Sequence, residues 1–346
     1  MTDQVADDPV AAAGTGVKFG LLLSHQYPFE EDLGQRLAEL FDLVELARDL
    51  GYDSAWTIHH YLANLQTPQP ISMTAALSQV SGEMTLGTCI LLAPFLHPVH
   101  IAEEFATIDH LTGGRAVLGL GAGYRPHEFE AFGLSESERF GRMVETVELV
   151  RKLWSGDEVH HCGKYFTVEG QRCGVLPHQP GGPPIWLGGG GKQSVRRAAR
   201  LGDAWWAPGT SPNRDYPLKA ISLHDEALVE AGKERSGREY PIGLELFCGA
   251  TDESALDEAL PYVRKEFFSY GENYDYLSWQ KDNFDTLLDN SFVLGSPETV
   301  VRRIRVLADA GYNHIVFRPF WIGMPAAMAR ESVTRIANEV MPLFRS

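Results

Sequence analysis

Two stretches of this sequence bring residue types that could do chemistry into close spacing. The first is Gly188-Gly189-Gly190-Gly191-Lys192-Gln193-Ser194. Four glycines leave backbone N–H groups unshielded, and a helix opening behind them adds its positive end, so the run suits a phosphate or another anion. Lys192, Gln193 and Ser194 add donors. The competing reading is a plain loop between a strand and a helix. The spacing is not that of a P-loop, Gly-x-x-x-x-Gly-Lys-Ser/Thr. A second glycine run, Gly119-Leu120-Gly121-Ala122-Gly123, is weaker, because it lacks the downstream acid of a dinucleotide fingerprint.

The other stretch is His59-His60. One reading is structural, with a ring bonded to a backbone carbonyl. Metal binding is awkward, since neighbouring side chains on a strand point to opposite faces and cannot easily share one ion. His97, His100 and His110 could be recruited, but no carboxylate or His-x-His pair stands at a useful offset, so no metal is expected. The third reading is acid/base work by a ring that titrates near neutral pH. No Gly-x-Ser-x-Gly elbow is present for nucleophilic hydrolysis.

The elements that must position these residues alternate along the chain. Short apolar runs at 17–23, 53–57, 85–92, 115–120, 184–187, 203–206, 242–250 and 314–317 predict strands. Helical spacing follows each, at 35–50, 71–80, 101–111, 142–153, 194–201, 218–231, 298–310 and 326–339. Near-continuous apolar strands alternating with helices imply a parallel sheet covered on both faces. Eight units predict an α/β fold closed as a (β/α)8 TIM barrel, a single domain over 17–346 behind a loose tail at 1–16. Two insertions interrupt it. After strand four, 156–182 predicts a hairpin. Around strand seven, 251–296 gathers Tyr262, Phe267, Phe268, Tyr270, Tyr274, Tyr276, Trp279 and Phe284, which fit either a surface or subunit contact or a lid over the pocket.

The chain of 346 residues carries 30 Lys+Arg against 46 Asp+Glu, a net charge of −16. That balance argues against a nucleic-acid partner, for which a basic stripe would be needed. Four scattered cysteines form no Cys-x-x-Cys pair and suggest a reducing, cytoplasmic setting. The longest uncharged stretch, 84–102, holds Pro94, His97, Pro98 and His100 and does not read as a membrane span. Barrel enzymes work at the C-terminal ends of their strands, which here offer Gln26, His59, His60, Trp206, Glu245 and Arg318 as pocket residues, with Trp279 from the insertion. On residues alone, this is a barrel that binds an anionic cofactor beside a candidate basic histidine.

Several segments in order resemble the bacterial luciferase-like family of flavin-dependent monooxygenases and oxidoreductases. They are Ser54-Ala55-Trp56-Thr57-Ile58-His59-His60-Tyr61, Leu86–Leu92 with His97-Pro98, Asp109–Arg115, Gly121–Gly133, Pro184–Gly191 and Leu201–Trp206. The resemblance implies a dimeric barrel that binds flavin mononucleotide (FMN) or a deazaflavin (F420), with His59 at the acid/base position and His60 beside it. It also implies a non-proline cis peptide at Cys89-Ile90 under the ring. Cofactor contacts would come from Cys89, Ile90, Gly121, Gly123, Tyr124, Arg125, Gly188, Gly189, Gly190, Gly191 and Lys192. Two positions depart from the pattern. Ile58 stands where many flavin members have Glu, and Ala122 where the luciferase has a phosphate-binding arginine. F420 members more often show Asp-His at 59–60, so His-His favours reduced FMN. The expected activity is therefore a monooxygenase that takes reduced FMN from a separate reductase, and O2, to oxidise a small apolar or carbonyl substrate. An F420-dependent hydride-transfer enzyme and a non-catalytic flavin-binding protein are the alternatives.

Overall fold

The computed structural model describes residues 16–273 and 277–345. The first half of the chain runs β1 (Lys18–Leu23), α1 (Leu33–Asp49), β2 (Ser54–Thr57), α2 (Pro70–Leu77), β3 (Thr85–Thr88), β4 (Leu91–Leu92), α3 (Pro98–Leu111), β5 (Ala116–Gly121), α4 (Pro126–Ala131) and α5 (Arg139–Trp154). There follow β6 (Val159–Cys162), β7 (Thr167–Gln171), β8 (Ile185–Gly188), α6 (Lys192–Leu201), β9 (Ala204–Pro208), α7 (Tyr216–Glu230) and β10 (Pro241–Cys248). The chain then forms α8 (Asp252–Asn273), α9 (Ser278–Asp282), α10 (Phe284–Asn290), β11 (Val293–Gly295), α11 (Pro297–Ala310), β12 (His314–Arg318) and α12 (Ala326–Arg335). Strands β1, β2, β3, β5, β8, β9, β10 and β12 pair in parallel, and β10 meets both β9 and β12, which closes the barrel.

The eight expected strands are these eight. Each also keeps its expected helix, and side-chain caps start α1, α3 and α11. Asp32, for example, accepts from the Gln35 N–H at 2.9 Å to start α1. Three details differ from the sequence reading. The third strand is not continuous: it breaks at the cis Cys89-Ile90 bond and resumes as β4 against β5. An unforeseen strand, β11, adds to β10; three residues are too few to show a period. The last helix leaves α geometry at Arg335 and continues as a π turn over Ile336–Val340.

The barrel interior is filled by tryptophan. Trp56 stacks on Trp186 with centroids 4.6 Å apart and meets Trp206 edge-on at 5.2 Å. Gly87 makes room, since a Cβ there would lie 2.5 Å from Trp56. Below them Ser54 Oγ accepts from Trp56 Nε1 at 2.8 Å and lies 2.7 Å from His314 Nε2. His314 Nδ1 in turn faces Glu239 at 3.1 Å.

Both insertions are anchored. The β6–β7 hairpin is antiparallel, as expected, and buried Glu145 of α5 accepts from the Phe166 N–H at 2.8 Å and faces His161 at 3.2 Å. The second insertion has a core of its own, in which Ala255, Val263, Phe267, Phe284 and Leu287 pack on Phe247, Trp321 and Met324. Tyr274 and Tyr276 of the expected aromatic cluster, and 1–15 of the expected tail, lie outside the described residues. Among the described residues no helix is long and apolar enough to cross a membrane.

Candidate active site

A cavity of about 380 Å³ opens at the C-terminal end of the barrel. Of the residues singled out from the sequence, Gln26, His59, His60, Cys89, Ile90, Gly123, Tyr124, Glu245 and Arg318 line it. They come from the ends of six different strands or the loops after them, which is why they are scattered in sequence and gathered in space.

His59 follows β2 and is buried. Its Nδ1 accepts the backbone N–H of Leu92 at 3.0 Å. That bond leaves the ring proton on Nε2, which has no hydrogen-bond partner among the described residues. Burial, reinforced by neighbouring His60, pulls its pKa down to about 3. This corrects the expectation of a ring that titrates near neutral pH. His59 is a neutral, fixed donor. His60 is also held neutral, mainly by burial and then by the charge of Arg125. Its Nδ1 lies 3.3 Å from Glu128 Oε1, which accepts the Tyr61 N–H at 2.9 Å. Burial raises the Glu128 pKa against the pull of that N–H and of Arg125.

Ile90 forms a ledge on the cavity floor, and two glycines seat it. A Cβ at Gly121 would fall 1.9 Å from Ile90 Cδ1, and one at Gly188 would fall 2.8 Å from it. Gly121 and Gly188 therefore act from behind the ledge and are not among the cavity-lining residues. Deeper in the same ladder, Gly119 is pressed against the Thr88 carbonyl, 1.8 Å from where its Cβ would stand. Thr88 Oγ1 donates to the Gly119 carbonyl at 2.7 Å.

On the opposite wall Arg318 carries the charge. Its Nη1 pairs with Glu266 Oε1, and its Nε stands 3.4 Å from Glu245 Oε2. Glu245 Oε2 also accepts from Trp321 Nε1 at 2.7 Å, and Glu266 Oε2 from the Ile322 N–H at 3.1 Å. Tyr270 donates to Gln26 Oε1 across the mouth. The second insertion thus supplies cavity wall, through Glu266, Phe267, Tyr270, Leu277 and Gln280.

The remaining expected residues sit elsewhere. Trp206 is not a pocket residue: β9 runs to Pro208, two residues past the predicted end, so Trp206 lies a layer down in the barrel while Pro208 and Thr210 reach the cavity. Trp279 is on α9, about a third exposed and off the lining; its neighbours Leu277 and Gln280 line instead. Arg125 is fully buried, with its guanidinium 5.6 Å from the Tyr270 ring centroid. Gly189, Gly190, Gly191 and Lys192 border a separate surface recess or lead into it, with Lys192 exposed. Two of that loop's carbonyls are tied down, Gly189 by Trp205 Nε1 at 2.9 Å and Gly190 by Tyr216 Oη at 2.8 Å. Sequence reasoning missed Glu266. Its four-residue spacing from Tyr270 was the available signal, since that spacing puts both on one helix face.

Residues 17–314 match the family described as luciferase-like monooxygenase. The chain belongs to this family. Two of its relatives are F420-dependent glucose-6-phosphate dehydrogenases. That of Amycolatopsis mediterranei is 27% identical over 323 residues, covering 88% of this chain and 95% of the relative. That of Nocardia farcinica is 29% identical, covering 83% and 89%. Among solved structures, a monooxygenase from Streptomyces bottropensis superimposes with a TM-score of 0.84 at 23% identity, covering 94% of this chain and 99% of that one, which shows the shared barrel. This luciferase-like chain therefore carries an oxidoreductase barrel with its cavity where the family's strands end. Among the described residues no group of His, Cys, Asp or Glu could hold a metal ion.

Proposed function

We propose that the chain is an oxidoreductase that moves a hydride between F420 and a small organic substrate. The observation that carries this reading is His59, a neutral ring whose Nε2 proton is fixed by the Leu92 N–H and meets no hydrogen-bond acceptor within bonding geometry among the described residues. Such a donor can steady an oxygen on the carbon that gains or loses hydride, as a preorganised dipole does where negative charge develops. The choice of cofactor is supported by relatives whose names state F420 dependence and that match along most of their length.

The residues present fit an isoalloxazine-type ring with a phosphate tail. The ring would rest on Cys89 and Ile90, and the phosphate would take the Gly188–Gly191 loop with Lys192, where the first N–H groups of α6 have no intrahelical acceptor. Bound there, F420 supplies the hydride chemistry. The chain's own work is to orient the substrate, exclude water and hold the proton on His59 Nε2.

A second reading is favoured by the His59-His60 pair, where F420 members more often have Asp-His: a monooxygenase that uses reduced FMN from a separate reductase. Titration of the protein with F420, FMN and reduced FMN separates the two. The first reading expects F420 to bind tightest and its absorbance to bleach with substrate turnover. Tight reduced-FMN binding without F420 binding would overturn it.

A further inference from the structure

Arg318 is the only cationic side chain among the described residues that line the cavity, and its charge is already met. Glu266 takes Nη1, and Glu245 stands at Nε. Both carboxylates are buried, Glu266 with 3% and Glu245 with 7% of its surface exposed. One positive and two negative groups leave this wall with a deficit of positive charge. An incoming phosphate or carboxylate would have to break the Arg318–Glu266 pair or lie against two carboxylates in a desolvated site, and either is costly. The wall still offers a matched donor and acceptor. Arg318 keeps 18% of its side chain accessible. Glu245 uses Oε2 for Trp321 and Arg318, while its Oε1 takes no hydrogen bond among the described residues. A hydroxyl group, which both donates and accepts, satisfies the two together.

We propose that Glu266 and Glu245 make this cavity reject anionic substrates, so that its substrate is an uncharged hydroxyl or carbonyl compound. Glu266 is the specificity-determining residue. It reaches the site from α8, inside the second insertion, and Ile322 fixes its other oxygen, so Arg318 cannot be released by a simple rotation of the glutamate. This rests on the reading of the cavity as the substrate site of an F420 oxidoreductase. It differs in substrate charge from what the names of the two dehydrogenase relatives state.

The test is calorimetric titration of the full-length protein, without cofactor, with inorganic sulfate as the anionic probe. Wild type is expected to bind sulfate no better than Arg318→Met does, any sulfate on the Gly188–Gly191 loop being common to both. Glu266→Gln is expected to bind sulfate at least about tenfold tighter than wild type, and Arg318→Met in the same background to lose the gain. Sulfate binding by wild type that disappears in Arg318→Met overturns the proposal, as does a folded Glu266→Gln protein that binds sulfate no better than wild type. Should Glu266→Gln fail to fold, the cofactor-loaded wild type is assayed with propan-2-ol against lactate. Turnover is expected for the alcohol alone, and preference for the acid overturns the proposal. The sulfate result does not depend on cofactor identity, so a titration favouring FMN would change the proposed reaction and leave the anion test standing.

Discussion

The Leu92 N–H donates to Nδ1 of His59 at 3.0 Å, and this one bond decides which nitrogen of the ring keeps its proton. The ring cannot then serve as a base through Nδ1, which is occupied, or through Nε2, which is protonated. Replacing His59 with Ala is expected to lower kcat/KM by about 10²–10³, the effect of losing one preorganised donor. His59→Gln, which can still present an N–H, should recover part of that loss. With the ring's pKa near 3, the wild-type rate should show no inflection from His59 between pH 5 and 8. A break near pH 6.5 that vanishes in His59→Gln would refute the assignment.

The two glycines of β5 separate stability from site shape. At Gly119 a new Cβ meets the Thr88 carbonyl, which is backbone and cannot move aside, whereas at Gly121 it meets the terminal methyl of Ile90. Gly119→Ala is expected to cost about 1–3 kcal/mol or more by overpacking. Gly121→Ala should cost less and push Ile90 into the cavity. Urea unfolding and cofactor titration of the two variants should therefore rank in opposite order relative to their damage.

Acid sensitivity should begin at ordinary histidine pH. Burial is the first cause that depresses the folded-state pKa of His25 to about 4, of His59 to about 3 and of His224 to about 4. A histidine buried neutral stabilises the fold fully above its unfolded pKa of about 6.5, and that contribution is lost as pH falls toward the folded value, by roughly 1.4 kcal/mol per pH unit for each ring. His224 stacks on Trp205, and neither of its ring nitrogens has a hydrogen-bond partner among the described residues. His224→Phe should therefore flatten the acid limb between about pH 6.5 and 4, as read by urea unfolding at several pH values. An unchanged slope would contradict the burial argument.

A second, lower window belongs to Glu239. Hydrogen bonding and charge from His314 and then Lys18 outweigh burial and hold its pKa at about 2. Its contribution is present above the unfolded carboxylate pKa of about 4.3 and is lost as pH falls toward 2, at most about 3 kcal/mol. Glu239→Gln is expected to lower stability at pH 7 and to leave little difference from wild type near pH 2.5, measured by thermal unfolding at both pH values.

The barrel was legible because the strands are near-continuous apolar runs and most helices periodic ones, from 17–23 through 326–339. The cavity was legible in part, because strand ends in a barrel converge wherever the sequence places them; His59, Ile90, Glu245 and Arg318 follow from that rule. What escaped was set by partners distant in sequence. The tautomer of His59 depends on Leu92, 33 residues on and beyond a break in the strand. Glu266 sits among Asp, Glu and Lys on an amphipathic helix, where a carboxylate usually faces water, yet it is buried against Arg318. Trp206 was misplaced by two residues of strand length, enough to move a side chain from the rim into the packed interior.

The break between β3 and β4 has a consequence for how the barrel is sealed. Thr88 still pairs with Thr57 of β2, and the Cys89 N–H reaches the Thr57 carbonyl at 2.7 Å, but Leu91 and Leu92 pair only with β5. On the β2 side the Leu92 N–H would have lost its acceptor. The imidazole of His59 stands in for the absent carbonyl. At this point of the rim a side chain completes the seam between two neighbouring strands, so a residue of the cavity lining is also a stave of the wall.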